Sequence, residues 1–299
     1  MKALVLAGLF ALVPVTVVAE NGQFGPWQPA VSVDVWPGAN PPLNTTAFVE
    51  GCPSVAPDGL SLYFASNRSG GYGGLDLYVS HRAKRHGPWG PAVNLGSTIN
   101  TAGDEFCPTP LRDGFSLLYV STRQDLAHCG GADIYRSTNG AAGWTTPVNL
   151  GCSLNSSADE ASPFLVREGG GFRLYFSSTR SGVSHIYSAA MTGDWTFDDP
   201  ALVPGINSTA ADARPNVRHD GLEMCFDSKR GGLAAEDIFL STRASTSDAW
   251  GTPVNAGANV NSTARDIRCS ISWDATTMYF SSTRAGSMDI WVTRRAALD

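Results

Sequence analysis

One segment recurs five times along the chain, and this repeat constrains the fold more than any other feature. The second copy, residues 100–139, reads NTAGDEFCPTPLRDGFSLLYVSTRQDLAHCGGADIYRSTN. It contains an acidic pair, a short extended run, an Asp-Gly turn, a second apolar run, a Ser-x-Arg loop and a third extended run. An Asp-Gly pair between two extended runs favours a β-hairpin. Because no helical periodicity follows residue 19, the repeat predicts an all-β protein.

Tryptophan marks a fourth strand in each repeat. It recurs at positions 27, 89, 144, 195 and 250, in steps of 62, 55, 51 and 55 residues, and position 195 is the poorest copy. Self-similarity at such a period is typical of repeat architectures. We expect this tryptophan set to pack between repeats. Trp36 and Trp273 fall outside the pattern and are better candidates for contact with a ligand.

The strand count predicts a closed ring. The fifth repeat ends near Arg295 without a tryptophan strand, while a spare tryptophan strand lies at Trp27. If residues 24–31 complete the last repeat, no sheet edge is left open. The sequence therefore predicts a five-bladed β-propeller of four-stranded antiparallel blades, closed by the N-terminal strand. Since the ring cannot close in halves, residues 20–299 are expected to form one domain.

Three motifs of the repeat resemble the WD40-like propeller repeats of the periplasmic protein TolB and its relatives. They are Asp-Gly, Leu-Tyr-Phe-x-Ser-x-Arg and Asp-Ile-Tyr, and the resemblance covers about residues 44–295. It implies export in bacteria and roles in contacting proteins or glycans. Such propellers serve many functions, so the resemblance is specific for the fold and not for the activity.

The first residues and the net charge bear on location and partners. Residues 1–19 are typical of a secretory signal peptide, with a basic start, an apolar run and small residues before the candidate cleavage site. We expect a periplasmic or secreted protein without membrane insertion. A net charge of −6 argues against nucleic acid as a partner, because binding to the phosphate backbone relies on basic patches.

Six cysteines in an exported chain permit disulfides. Cys129 and Cys152 flank one outer strand and are the favoured pair. Cys52 and Cys107 occupy the same position in neighbouring repeats, and they would pair only if the inner strands approach closely enough for disulfide geometry. The alternative is that some of the six are buried free thiols.

Each repeat carries an acid at the start of its predicted innermost strand, and we expect these acids to surround one mouth of the central channel. They lie two residues before the equivalent positions 52, 107, 162, 214 and 268, and two repeats add a second acid. Like charges at such a mouth repel one another and need compensation. The candidate ligand-binding residues are Glu50, Asp104, Glu105, Asp159, Glu160, Asp212 and Asp266.

Neighbouring arginines divide these acids into two groups. Arg214, Arg265 and Arg268 compensate the acids of the fourth and fifth repeats, and the first three repeats have no equivalent arginine. The hypothesis is an electronegative side of the mouth that binds a cation, with Ca²⁺ the natural choice for oxygen ligands, or a polyhydroxy or cationic ligand. The alternative is that each acid caps backbone N–H groups or pairs with a local arginine as part of the scaffold. No other cofactor is expected.

A second repeated pair joins the arginine of the Ser-x-Arg loop to the aspartate that opens the next strand. It recurs in four of the five repeats, and the third repeat has His185 in place of the aspartate. A guanidinium and a carboxylate form two parallel hydrogen bonds, so this pair is interpreted as scaffold. His185 is interpreted as a tolerated substitution.

The favoured function is that of a monomeric binding module that contacts a protein or a cell-envelope glycan through one face of the ring. No individual catalytic residue is assigned, because the acids are near-equivalent by repeat, and an enzyme is the less favoured class. The alternative is a carbohydrate-active enzyme, a glycosidase or lyase, that uses carboxylates at the channel mouth. Paired carboxylates can act as acid and base or as acid and nucleophile at a glycosidic bond.

Overall fold

The computed structural model describes residues 23–233 and 235–298, and the predicted signal peptide lies outside them. Within these ranges, twenty-one strands form five antiparallel sheets, which confirms the predicted five-bladed propeller. The described helical elements are two short turns, Asp34–Gly38 and Arg230–Gly232. No described helix has the length and apolar character that a membrane span needs.

The strands are numbered in chain order and grouped by blade. The fifth blade is closed by β1 (Val31–Ser32). The first blade has β2 (Glu50–Val55), β3 (Ser61–Ser66), β4 (Asp76–His81) and β5 (Val93–Asn94). The second has β6 (Glu105–Pro110), β7 (Ser116–Ser121), β8 (Asp133–Gly140), β9 (Gly143–Trp144) and β10 (Val148–Asn149). The third has β11 (Glu160–Glu168), β12 (Gly171–Ser178), β13 (His185–Ala190) and β14 (Ala201–Leu202). The fourth and fifth add β15 (Asp212–Val217), β16 (Glu223–Ser228), β17 (Asp237–Thr242), β18 (Val254–Asn255), β19 (Asp266–Ile271), β20 (Thr277–Ser282) and β21 (Asp289–Arg294).

The first strand of each blade is the innermost, and these strands contact one another in turn around the axis. Contacts run from β2 to β6, β11, β15 and β19, and from β19 back to β2. The N-terminal segment completes the fifth blade as predicted: Val31 pairs with Val292 on β21, and the Gln28 N–H donates to the Arg294 carbonyl at 2.7 Å. Backbone hydrogen bonds between the two ends of the chain thus close the ring and cover the edge of β21.

The hydrophobic core lies between neighbouring blades. The repeated tryptophans belong to it, as expected: three are buried and two are partly buried against the interblade clusters. Arginine guanidinium groups cover several of them, and Arg82 lies 4.1 Å from the ring centroid of Trp89. Burial of these large aromatic surfaces contributes to holding one blade against the next.

Every inner strand has a bulge immediately after its first two residues. The register with the second strand shifts between Gly51 and Ser54 in the first blade, and at the equivalent place in the other four. The bulged residue has a left-handed backbone with φ between 49° and 59°, a conformation uncommon outside glycine. A bulge re-aims its side chain, and these five side chains line the central channel. The channel ring consists of Cys52, Cys107, Ser162, Arg214 and Arg268.

Two disulfides are present. The bond between Cys129 and Cys152 confirms the favoured pair. A second bond, between Cys225 on β16 and Cys269 on β19, joins the fourth and fifth blades and was not predicted. Disulfides of this kind fit an exported protein. The remaining cysteines, Cys52 and Cys107, are buried free thiols.

Candidate functional site

The five acids that open the inner strands are completely buried, with an exposed fraction of 0%. We call Glu50, Glu105, Glu160, Asp212 and Asp266 the carboxylate ring. Glu160 illustrates their contacts: Oε2 accepts from the Ser156 N–H at 2.7 Å, and Oε1 accepts from the Ser178 hydroxyl at 2.6 Å. Arg180 from the Ser-x-Arg loop donates to the same Oε1 at 3.1 Å. These are the contacts of the scaffold alternative, in which each acid caps backbone N–H groups and pairs with an arginine of its own blade.

Every acid of the carboxylate ring has such an arginine. The arginine-to-carboxylate distances run from 2.5 to 3.7 Å and involve Arg68, Arg123, Arg180, Arg230 and Arg284. The predicted lack of compensation in the first three repeats is therefore wrong. The arginines expected to compensate the last two repeats have other partners, since Arg214 pairs with Asp227 and Arg265 with Glu236. Ligand binding by the carboxylate ring stays a prediction, and it would require these buried contacts to be given up.

The predicted pair between the Ser-x-Arg arginine and the aspartate of the third strand is wrong, because each of the two side chains has a different partner. In the second blade, Asp133 accepts instead from the Cys129 N–H at 2.6 Å and from the Asn149 side chain at 2.8 Å. Its role is still that of scaffold, because it ties the loop to the outer strand. His185, which replaces this aspartate in the third blade, makes loop contacts with the Ser208 carbonyl at 3.2 Å and with Ser181.

The two additional acids link neighbouring blades. Asp104 Oδ1 accepts from the Leu75 N–H at 2.7 Å, and a β carbon on Gly74 would lie only 2.2 Å from this oxygen. A β carbon on Gly131 would approach Asp159 equally closely, at 2.1 Å. A β carbon at either glycine would therefore displace the carboxylate from its present position. Among the described residues, no group of three or more His, Cys, Asp or Glu side chains is arranged to hold a metal, and calcium binding stays a prediction.

A cavity of about 240 Å³ opens at the other end of the channel, where the inner strands turn back into the second strands. We call it the turn-side cavity. Its walls are mainly apolar and aromatic, with a few charged groups at the rim, which is the usual make-up of a site for a small organic ligand. Its aromatic and charged lining residues are Phe164, Phe172, Trp195, Trp273, His219, Arg112, Asp113 and Arg167.

The third blade builds one wall of this cavity because its inner hairpin is longer than the others. β11 has nine residues and β12 has eight, where the corresponding strands of the other blades have six each. The turn uses Gly169 and Gly170, both with positive φ, in place of Asp-Gly. Glu168 next to this turn pairs with Arg173 at 2.7 Å and with Arg243 of the fourth blade, which fixes the hairpin in place.

Two tryptophans that depart from the repeat line the same cavity. Trp195 is the poorest copy of the repeated tryptophan. The Arg136 guanidinium carbon lies over its indole ring, 4.3 Å from the ring centroid. Trp273 is stacked on His219 with centroids 5.4 Å apart. The position of Trp273 agrees with its predicted availability to a ligand, and this role stays a prediction. Trp36 lies elsewhere, against Arg294 near the chain closure.

A smaller space of about 30 Å³, which the channel ring surrounds, adjoins the turn-side cavity. Ser54, Thr109 and Ser270 line both spaces, so the two are successive sections of one channel. Sequence reasoning aligned the channel-ring positions but did not assign them a site. The sequence does contain a signal for such a site. The residues at this one aligned position of the five repeats are two Cys, one Ser and two Arg, which are chemically reactive or charged side chains.

No family model and no curated protein matches the chain. Solved structures do share its fold. An alpha-L-arabinofuranosidase from Lactobacillus brevis is 13% identical with a TM-score of 0.59, and the match covers 86% of this chain and 93% of that one. An endo-arabinase from Bacteroides thetaiotaomicron is 16% identical with a TM-score of 0.58, covering 83% and 94%. A putative TolB from Agrobacterium tumefaciens is 16% identical with a TM-score of 0.50, covering 85% and 82%.

These comparisons correct the favoured function. The resemblance to TolB is matched by one such structure, but several better-matching structures are glycoside hydrolases. The structures that share the fold therefore do not favour a binding module without catalytic activity. The alternative, a glycosidase, is the better supported of the two.

Proposed function

We propose that this protein is a glycosidase that holds a polysaccharide in the turn-side cavity. The observation that carries the proposal is the cavity itself, in which Trp195 and Trp273, both departures from the repeat, stand beside Arg112, Asp113 and Arg167. Aromatic faces suit the apolar faces of a sugar ring, and charged side chains at the rim suit its hydroxyl groups. The cavity also lies on the axis of the ring, where all five blades can contribute to a site.

The solved structures that share the fold support this choice and suggest where to begin. They include two proteins that act on arabinose-containing substrates according to their names, an alpha-L-arabinofuranosidase and an endo-arabinase. Arabinan and arabinoxylan are accordingly the first substrates to test for this chain.

Two carboxylates are candidates for the catalytic acids at the cavity. Asp113 lines it and uses only Oδ1 to cap its own turn, through the N–H groups of Phe115 at 3.0 Å and Ser116 at 2.7 Å, so that Oδ2 has no hydrogen-bond partner within the described part of the chain. Asp274 directly follows Trp273 and lines a small neighbouring pocket that shares Trp273 with the cavity. A glycosidase needs two such groups on either side of the scissile bond.

The environment of Asp274 suits the ionised member of the pair. Burial opposes ionisation of this carboxyl, but hydrogen bonds from the Ser272 hydroxyl and from the Thr276 N–H and hydroxyl outweigh it and hold the pKa below its usual value. A carboxylate that stays ionised can serve as base or nucleophile, and the second acid then protonates the leaving group. We assign the ionised role to Asp274, and Asp113, which lines the cavity, is the candidate for the second carboxyl group.

The test is hydrolysis of a panel of plant and bacterial polysaccharides, beginning with arabinan and arabinoxylan, measured as release of reducing sugar. We expect turnover by the wild-type protein, and a loss of at least about a hundredfold in Asp113→Asn and Asp274→Asn without a large change in melting temperature. Asp199→Asn, at an exposed acid away from the cavity, is the matched control and should keep full activity.

Two results would overturn the proposal. One is a folded wild-type protein that hydrolyses no member of the panel. The other is turnover that survives both Asp113→Asn and Asp274→Asn. A loss of turnover in Glu105→Gln or Glu160→Gln is informative only beside an unfolding curve, because these carboxylates are buried in the scaffold.

A further inference from the structure

The channel ring contains two thiols that the proposed glycosidase does not use. Cys52 on β2 and Cys107 on β6 are 4% and 5% exposed and pack in one buried cluster across the boundary between the first and second blades. The Ser162 hydroxyl, from the third blade, donates to Cys107 Sγ at 3.1 Å. Because the bulges direct all three side chains to the axis, residues more than fifty positions apart in sequence meet there.

The same ring carries an excess of positive charge. Asp227 pairs with the side chain of Arg214, whereas from Arg268 it accepts only the backbone N–H, at 3.0 Å. The Arg268 side chain extends to the first blade and approaches Gly51, the residue before Cys52. Its Nη1 lies 3.3 Å from the place that a β carbon would occupy if Gly51 were replaced by a larger residue. Its Nε is buried and has no hydrogen-bond partner among the described residues. A buried, unpartnered guanidinium nitrogen indicates that this site favours a negative charge or an acceptor atom.

Cys107 can supply that charge. Burial disfavours its thiolate, but the hydrogen bond from Cys52, the charge of Arg268, the hydrogen bond from Ser162 and the charge of Arg214 together outweigh burial and lower the pKa of Cys107 to about 6. Burial and the same hydrogen bond raise the pKa of Cys52. One thiolate beside one protonated thiol is the arrangement of a reactive cysteine and a resolving cysteine.

We propose that Cys52 and Cys107 form a peroxide-reactive dithiol, which closes to a disulfide between the first and second blades inside the channel. The space around them, about 30 Å³, admits a molecule near the size of water and excludes a peptide disulfide such as oxidised glutathione. The oxidant is therefore a small hydroperoxide, reaching the thiols past Ser54, Thr109 and Ser270 from the turn-side cavity.

The reaction balances in two steps. The Cys107 thiolate attacks one oxygen of hydrogen peroxide, the O–O bond breaks, and Cys107 sulfenic acid and hydroxide are formed. The Cys52 thiol then attacks the sulfenic sulfur, the S–O bond breaks, and the disulfide and water are formed. Arg268 stabilises the thiolate before the first step and the hydroxide that leaves in it. In total, the dithiol loses two electrons and peroxide gains them.

The test uses the full-length mature protein with both existing disulfides intact. It is exposed to an equimolar amount of hydrogen peroxide, or in parallel to oxidised glutathione, then unfolded, alkylated and mapped without reduction. We expect peroxide to produce a peptide that joins Cys52 to Cys107, and oxidised glutathione to produce it at least about tenfold more slowly because it does not fit the channel. In Cys52→Ser, Cys107 should instead persist as sulfenic acid, which dimedone traps when it is added together with the denaturant.

Arg268→Met separates an electrostatic role from a structural one. We expect the peroxide reaction at pH 7 to slow by about tenfold, and the midpoint of its pH profile to move upward, because the thiolate is no longer stabilised. Arg265→Met, whose side chain pairs with Glu236 at 2.9 Å away from the channel ring, is the control and should leave rate and pH profile unchanged. The proposal is overturned if Cys52 and Cys107 both remain alkylatable after peroxide treatment, if oxidised glutathione closes the pair equally fast, or if Arg268→Met leaves the pH profile unmoved.

Discussion

The carboxylate ring and the turn-side cavity lie at opposite ends of the same five inner strands and differ in how closely they follow the repeat. In the carboxylate ring every blade supplies a buried acid, Glu in the first three and Asp in the last two, and the arginine of its Ser-x-Arg loop. In the turn-side cavity the contributions are unequal, because the third blade supplies most of one wall. Equivalent contacts thus recur in all five blades at the carboxylate ring. The cavity exists because the blades differ.

The two ends also differ in how their charges are compensated. Five carboxylates at one mouth suggest a cation site, yet each is already neutralised by an arginine of its own blade. Desolvation of a carboxylate is costly unless it is paired and hydrogen-bonded, so complete burial itself implies these partners. At the turn side, Asp113 is exposed and has an oxygen left for a ligand.

The largest expected effect contrasts a tryptophan of the repeat with one outside it. Trp89 is 1% exposed and packs edge-on against Tyr279 of the neighbouring blade, whereas Trp273 is partly exposed at the cavity. We expect Trp89→Ala to lower the free energy of unfolding by about 4 kcal/mol, and Trp273→Ala to lower it by no more than about 1 kcal/mol. Urea unfolding measures both, and equal losses would remove the distinction between core and cavity tryptophans.

The second effect concerns the carboxylate ring. Glu160→Gln replaces a buried charge that accepts from Ser156, Ser178 and Arg180, so we expect the free energy of unfolding to fall by about 3 kcal/mol. Asp113→Asn, at the exposed turn, should change it by less than about 0.5 kcal/mol. A Glu160→Gln protein as stable as wild type would show that the ring is not scaffold and would reopen its role in ligand binding.

The third effect tests how tightly the loops at the acid end interlock. A β carbon on Gly73 would lie 2.2 Å from the Gly103 carbonyl oxygen and 2.4 Å from that of Thr101, both backbone atoms of the next blade. Because backbone cannot move aside as a side chain can, we expect Gly73→Ala to cost about 2 kcal/mol. Gly140→Ala, where nothing lies within 4 Å, is the control. Thermal melts of the two variants should differ clearly, and similar melting temperatures would contradict the interlocked loops.

The smallest effect is the pH dependence of the turn-side carboxylates. The pKa of Asp274 is lowered in the folded protein by the hydrogen bonds that outweigh its burial. A lowered folded-state pKa contributes stability above the unfolded-state value of about 4, and this stability is lost as the pH falls through the lower folded-state value. Asp274→Asn should therefore flatten the loss of stability in acid relative to wild type.

Urea unfolding curves at a series of pH values from about 5 down to about 2 measure this slope. Asp199→Asn, at an exposed acid, should leave the wild-type slope unchanged. An Asp274→Asn protein that loses stability in acid as steeply as wild type would show that the hydrogen bonds to this carboxylate have no net effect on folding.

Sequence reasoning succeeded where the pattern is periodic. The Asp-Gly turns, the apolar second strands and the spare strand at Trp27 predicted the blades and the way the ring closes, and Cys129 with Cys152 followed from their positions around one strand. It failed where a contact depends on side-chain direction. The Ser-x-Arg arginine was assigned to Asp133 and its equivalents, and it turns instead to the first strand of the same blade.

What the sequence by itself determined is the architecture, because a fivefold repeat with four strands per copy and one strand displaced to the N-terminus has one economical closed arrangement. The tertiary structure alone decided which side chains meet. Bulges with positive φ turn Cys52, Cys107 and Arg268 into the channel, and the lengthened hairpin of the third blade raises a wall of the cavity. The physical reason is that periodicity records which face of a regular strand is buried, whereas a bulge or a hairpin extension interrupts that regularity and changes where individual side chains point.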